Sequence, residues 1–253
     1  MPRVARIKSK SGIYHIVLRG INRQTIFEND EDSNRFIQTI IRFKEISEYK
    51  IFAYCLMGNH IHLLLQEGKD PLDIILKRIC SSYVLWYNRK YGRIGNLFQD
   101  RFWSEPVESM DYLLVVTRYI FRNPIKAGIV TRLNNYKWTN YMDYVNGYSI
   151  TETDFILSTF GTNRENAVRE FIRYINWDED DKCLEIQEEK RTTDLDAKKL
   201  IKELCNIENA TELQNFDKVK RNMYLKVMKK NYGLSIRQIK RLTGISRGII
   251  QRS

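Results

Sequence analysis

Residues 51–66 read IFAYCLMGNHIHLLLQ, two short apolar runs at 51–57 and 60–66 separated by Gly58-Asn59. A Gly-Asn pair between β-prone runs of this length suits a two-residue turn, so the stretch predicts an antiparallel hairpin. Alternation along its second strand sets His60 and His62 on one face and Ile61, Leu63 and Leu65 on the other, toward a core. The hairpin would then hold two imidazoles side by side, either as a two-ligand edge for a divalent metal or as polar residues on a solvated sheet face.

Upstream, residues 12–19 (GIYHIVLR) are β-branched and aromatic and predict a strand, and residues 33–49 place Phe36, Ile40, Phe43 and Ile46 at helical spacing. Downstream, Pro71 stands at the start of a helix over 72–91, with Ile75, Ile79, Tyr83 and Trp86 on one stripe. Residues 98–107 alternate aromatic and polar side chains and predict a fourth strand, which Pro106 confines to an edge or a strand end. A third helix is expected over 108–122, ended by Pro124 because the residue before proline is pushed out of the helical region. Strand, helix, strand, strand, helix, strand, helix is the order of an α+β fold, a ferredoxin-like antiparallel sheet with helices. Beyond it, residues 154–175 read as helical and the acidic stretch 178–196 as a linker or a solvated helix.

The chain has 253 residues and a formal net charge of +11. Residues 218–253 hold eleven Lys/Arg and no Asp/Glu, which equals the whole excess, and six cations precede the first acidic residue, Glu28. Two such stretches favour a polyanion such as nucleic acid over mere solubility. No apolar run approaches bilayer length, so no membrane partner and a cytoplasmic location are expected. Cys55, Cys80, Cys183 and Cys205 are scattered and read as reduced thiols, the first two as small core residues.

On the third helix Tyr119 and Asn123 stand four residues apart, on one face. A tyrosine hydroxyl, with a pKa of about 10, becomes a useful nucleophile when a metal polarises the phosphate it attacks. Asn123 could add an oxygen ligand beside the two imidazoles. Tyr112, two turns earlier on roughly the same face, is the competing nucleophile.

Three motifs, GNHIHLL at 58–64, FQDRFW at 98–103 and RYIFRNPIKAGIV at 118–130, resemble in content and order those of REP-associated tyrosine transposases, single-tyrosine relatives of insertion-sequence transposases with an HUH motif. The resemblance implies that His60 and His62 bind Mg²⁺ or Mn²⁺, that Asn123 is the third ligand and that Tyr119 is the nucleophile. It further implies cleavage and rejoining of single-stranded DNA at hairpin-forming palindromes through a 5′-phosphotyrosine, by a monomer or a homodimer. On this reading residues 1–150 form the HUH tyrosine transposase catalytic domain, 151–197 a helical extension with an acidic linker, and 198–253 a basic helical domain.

Within that last segment, Ser235 and Ser246 are positioned to cap two helices around a Thr243-Gly244-Ile245 turn, a small all-α helix-turn-helix or an ordinary helical hairpin. Its charge favours DNA, duplex DNA included, with Arg237, Arg247, Gln251 and Arg252 as contacts. In the catalytic half Arg19, Arg23, Arg101, Trp103 and Lys126 are the expected DNA contacts. Two other readings stay open: a DNA-binding regulator descended from a transposase but without catalysis, and a hydrolase using water, which would leave no protein–DNA adduct.

Overall fold

The computed structural model describes residues 6–99, 102–147, 151–179, 181, 183–184 and 194–253. The chain divides into two compact units, residues 1–185 and 186–253.

The first unit is built on four strands, β1 (Ile13–Arg19), β2 (Lys50–Met57), β3 (His60–Gln66) and β4 (Trp103–Pro106). They form one antiparallel sheet in the order β2-β3-β1-β4, and the β2–β3 hairpin turns at Gly58-Asn59 as its sequence predicts. Two helices, α1 (Asp30–Ser47) and α2 (Leu72–Lys90), cover one face. Phe36, Ile40, Ile75, Ile79 and Tyr83 pack there on Ile16, Leu18, Ile61, Leu63 and Leu65. The opposite face takes α3 (Met110–Lys126), whose Leu113, Val116 and Ile120 meet Ile13, Phe52, Ala53 and Leu64. The two-residue period of β3 thus divides the molecule: odd positions build one core, and even positions face α3.

Several boundaries differ from expectation, each for a local reason. Helix α1 starts at Asp30 rather than residue 33, because the Asn29 side chain accepts from the Asp32 amide while the Asp32 carboxylate accepts from that of Asn29, a reciprocal cap. Strand β4 is only four residues long; Phe98, expected inside it, makes an isolated bridge to Gly20. Helix α3 continues through Pro124 to Lys126, since the buried Pro124 and the packed Ile125 hold the last turn in place. The helical stretch expected over 154–175 consists of α5 (Thr153–Leu157) and α6 (Arg164–Asn176), following the short α4 (Tyr141–Asn146). Gly161, at φ 150°, lies in the break, and the Asn163 side chain caps α6 by accepting from the Asn166 amide. Helix α6 belongs to the α3 core: Phe171 stacks on Tyr144 with centroids 4.5 Å apart and meets Phe121 edge-on.

Strand β2 lies at the edge of the sheet, where unpaired backbone groups would invite strand addition. Here they are covered. The Leu56 amide donates to the Trp138 carbonyl, the Tyr136 hydroxyl to the Leu56 carbonyl and the Glu152 amide to the Ile51 carbonyl. Asn140, 1% exposed, accepts from the Tyr54 amide at 2.7 Å and donates to the Phe52 carbonyl at 2.9 Å.

The second unit comprises α7 (Asp194–Cys205), α8 (Lys218–Lys230), α9 (Ile236–Thr243) and α10 (Arg247–Arg252) around Ile201, Leu213, Leu225, Met228, Ile239, Ile245 and Ile250. Ser235 caps α9 as expected, and Gly244 ends it at φ 74°, in the left-handed region that favours glycine. Ser246 stands at the start of α10 but its side chain makes no capping bond, contrary to expectation, because α10 is a single short turn and a half whose first bonds come from the Ser246 carbonyl.

Replacing Asn140 with Ala leaves the buried Tyr54 amide without an acceptor. The expected loss is about 1–3 kcal/mol of stability, read as a shift of the urea midpoint at unchanged slope.

Candidate active site

The register of the sheet assembles the site. Strand β1 pairs with β3 so that Arg19 lies opposite His60 and Val17 opposite His62; it pairs with β4 so that His15 lies opposite Glu105 and Val17 opposite Trp103. Directly paired residues share a face and diagonal neighbours on that face can touch. His15, His60, His62 and Glu105 therefore lie together on the α3 side.

His62, 3% exposed, is flanked on both sides. Its Nδ1 is 3.1 Å from Nε2 of the fully buried His15, with the two rings stacked at 5.4 Å between centroids, and the His60 ring stands nearly perpendicular to it at 5.1 Å. The half-buried His60 directs Nδ1 to the Asn59 side-chain oxygen at 2.7 Å. From α3 the Tyr119 ring approaches edge-on, its centroid 5.5 Å from that of His62 and 5.7 Å from that of His15. Burial, reinforced by the neighbouring His15 and His60, holds the His62 imidazole well below its ordinary pKa; burial lowers His15 too, against the opposing pull of Glu105. Neutral imidazoles carry the lone pair that a metal requires.

Of the four positions singled out on the HUH strand and α3, His60, His62 and Tyr119 meet in this region. Asn123 sits one turn beyond Tyr119 and donates from Nδ2 to the Tyr119 carbonyl at 3.1 Å, so its remaining amide atom is an oxygen, a ligand type suited to Mg²⁺ or Mn²⁺. Among the described residues no three His, Cys, Asp or Glu side chains enclose a cation by themselves. The donors at hand are two imidazoles and an amide oxygen, with substrate or water left to complete the shell. That donor set fits a Mn²⁺-like ion.

The competing tyrosine has different neighbours. Tyr112 is turned to Glu105 and Cys183, and burial pushes its hydroxyl far above the ordinary tyrosine range. Of the expected DNA contacts, Lys126 sets Nζ 5.3 Å from the Tyr119 ring, Trp103 opens β4 on the α3 face, and Arg19 is 7% exposed at the end of β1. Arg23 lies in the turn after β1, where it and Asn22 both adopt positive φ. Arg101 lies outside the described residues. In the second unit Arg237, Arg247, Gln251 and Arg252 are all exposed.

The sequence reading overlooked His15, Glu105 and Asn59. His15 was visible as the third of only three histidines, inside a predicted strand; only the strand register shows that it reaches His62.

Helix α3 is held from its other side by acids that the sequence reading treated as solvated. Arg118 makes a two-pronged pair with Asp181, Nε to Oδ2 at 2.8 Å and Nη2 to Oδ1 at 2.5 Å, while its guanidinium lies 4.5 Å from the centre of the Tyr174 ring. Arg122 pairs with Asp178 and donates to the Asn176 carbonyl. The residues on either side of Tyr119 in the helix are thereby fixed.

Residues 8–123 match the family described as Transposase IS200 like. A protein of Haemophilus influenzae provisionally named a REP-associated tyrosine transposase is 24% identical over 152 residues, spanning 56% of this chain and 86% of that protein. The structure of a REP-associated tyrosine transposase bound to a REP hairpin superposes with a TM-score of 0.52 at 19% identity, covering 73% of this chain and 95% of that one. This last likeness bears on the fold: an α+β arrangement of a four-stranded antiparallel sheet with helices.

Asp181→Ala leaves the buried Arg118 guanidinium with the largely exposed Glu179 in place of its two-pronged partner and is expected to cost up to about 3–5 kcal/mol. Asp178→Ala, which removes a largely exposed carboxylate, is expected to cost under about 1 kcal/mol. Urea unfolding of the two variants separates these values.

Proposed function

We propose that the first unit, a ferredoxin-like HUH domain, cleaves and rejoins single-stranded DNA through a covalent 5′-phosphotyrosine at Tyr119, at palindromic sequences that fold into hairpins. The observation that carries this reading is the packing of the Tyr119 ring against His62 and His15, beside His60, on one face of the sheet. The IS200-like match over residues 8–123 supports the reaction class, and the hairpin bound to the structural relative supports the form of the substrate.

The reaction exchanges one phosphodiester for another. The Tyr119 oxygen bonds to phosphorus, the bond to the 3′ oxygen breaks, and the phenolic proton ends on that 3′ oxygen. A 3′ hydroxyl later attacks the phosphotyrosine and returns the tyrosine. No nucleotide cofactor enters this balance. His60, His62 and Asn123 would hold Mg²⁺ or Mn²⁺, which supplies positive charge to the scissile phosphate. The chain's own part is orientation: the ion pairs of Arg118 and Arg122 seat α3, and ring packing limits the directions open to the Tyr119 hydroxyl. Lys126, beside that ring, adds positive charge where a phosphate would approach. Arg19, Arg23 and Trp103 border the same face and would guide the strand, Trp103 by stacking an unpaired base.

The second unit is read as a DNA-binding helix-turn-helix, with α9 and α10 joined at Gly244 and exposed Arg237, Arg247, Gln251 and Arg252 meeting phosphates or bases of duplex DNA. Among the described residues no helix is long and apolar enough to cross a membrane.

Incubation with end-labelled single-stranded hairpins from the flanks of its gene and Mn²⁺ is expected to give a labelled protein–DNA adduct and a free 3′ hydroxyl. The adduct should vanish in Tyr119→Phe and with chelator. Hairpin binding without cleavage would instead support a non-catalytic regulator, and cleavage without adduct a water-using hydrolase.

A further inference from the structure

His62 can serve a metal through Nε2 only if its single ring proton sits on Nδ1. We propose that Glu105 and His15 form a relay that enforces this tautomer: the Glu105 carboxylate holds a proton on His15 Nδ1, leaving His15 Nε2 to accept from His62 Nδ1–H. The inference rests on the metal-binding reading of His60 and His62 and assigns His15 as a positioning residue.

The 3.1 Å contact between His15 Nε2 and His62 Nδ1 requires one nitrogen to donate and the other to accept. The contact alone leaves both directions open. The other end of His15 decides between them. Among the described residues its Nδ1 is buried with no hydrogen-bond partner, and Glu105 Oε2 stands 3.8 Å away. That separation exceeds a hydrogen bond, yet it fixes the sign of the field across the ring. A lone pair on Nδ1 would face an anion in a dry interior, whereas a proton there is attracted to it. With the proton on Nδ1, His15 Nε2 can only accept, and His62 must donate.

Glu105 is itself held in place. Its Oε2 accepts from the Leu184 amide at 3.0 Å, and Tyr112 lies against the same carboxylate. The interaction with His15, helped by these two, holds the carboxyl below the usual range. Tyr112 thus stands at the outer end of the relay, apart from Tyr119.

At His60 the same requirement is met by different means. The Asn59 side-chain oxygen accepts at 2.7 Å from His60 Nδ1, which places that ring's lone pair on Nε2. Two neighbouring histidines thus have Nδ1 engaged by unrelated partners, one from the hairpin turn and one from the adjacent strand, and both present the same nitrogen to a ligand. Outer partners of this kind orient metal-binding histidines and raise their basicity.

The test starts with the metal-free wild-type protein carrying ¹⁵N-labelled histidine, whose ring protons are read from long-range ¹H–¹⁵N spectra; three histidines make assignment short. His62 is expected as the Nδ1–H tautomer, and an Nε2–H tautomer would overturn the relay without any variant having to fold. Mn²⁺ binding, followed by the electron paramagnetic resonance of free Mn²⁺, is the second readout. His15→Leu is expected to weaken binding about 10–100-fold, and His15→Gln, which can still accept from His62, to recover most of it. Binding that responds to His60→Ala but ignores His15→Leu overturns the relay alone. Binding that ignores His60→Ala overturns the metal-site reading on which it stands.

Discussion

The site depends first on the antiparallel register between β1 and β3, which sets Val17 opposite His62 and Arg19 opposite His60. A shift of one residue would turn every side chain of β3 to the other face, sending the histidines into the α1–α2 core and the leucines toward α3. The register is protected by what such a shift would expose. Ile61, Leu63 and Leu65 are all buried against Ile75, Ile79 and Tyr83, and losing that burial would cost roughly 1.5–3 kcal/mol for each large side chain. Apolar packing on one side of the sheet thus positions polar chemistry on the other.

A second constraint is the seating of α3. The tyrosine proposed as nucleophile is only as well placed as the helix that carries it, and α3 is fastened on two sides. Its apolar stripe lies on the sheet and on Tyr144 and Phe171, while Arg118 and Arg122 reach back to Asp181 and Asp178. Residues beyond α6 therefore contribute to the site without touching it. The chain after α3 also closes the open edge of β2, so the segment from Tyr136 to Glu152 both blocks strand addition and completes the core beneath the tyrosine.

Much of this was legible in the sequence because it follows from periodicity. The hairpin, the alternation of His60 and His62 against three aliphatic residues, and the spacing of Tyr119 and Asn123 are local patterns, and each appears in the fold where the pattern put it. What escaped depends on contacts between distant segments. Nothing in residues 12–19 reveals that His15 will stack on His62, since the relation is created by strand pairing across 47 residues. Asp178, Glu179 and Asp181 look like part of a solvated linker until Arg118 and Arg122 are seen to pair with them. Pro124 was expected to end α3; the packing of Pro124 and Ile125 carries the helix onward to Lys126.

On the proposed mechanism the tyrosine packed against the histidines, and not its neighbour two turns away, takes up the DNA. Mass spectrometry of the protein after reaction with a single-stranded hairpin oligonucleotide and Mn²⁺, followed by nuclease and protease digestion, locates the nucleotide-bearing residue directly. A phosphonucleotide is expected on the peptide containing Tyr119. A modified Tyr112, or a reaction that cuts DNA while leaving every tyrosine unmodified, would contradict it.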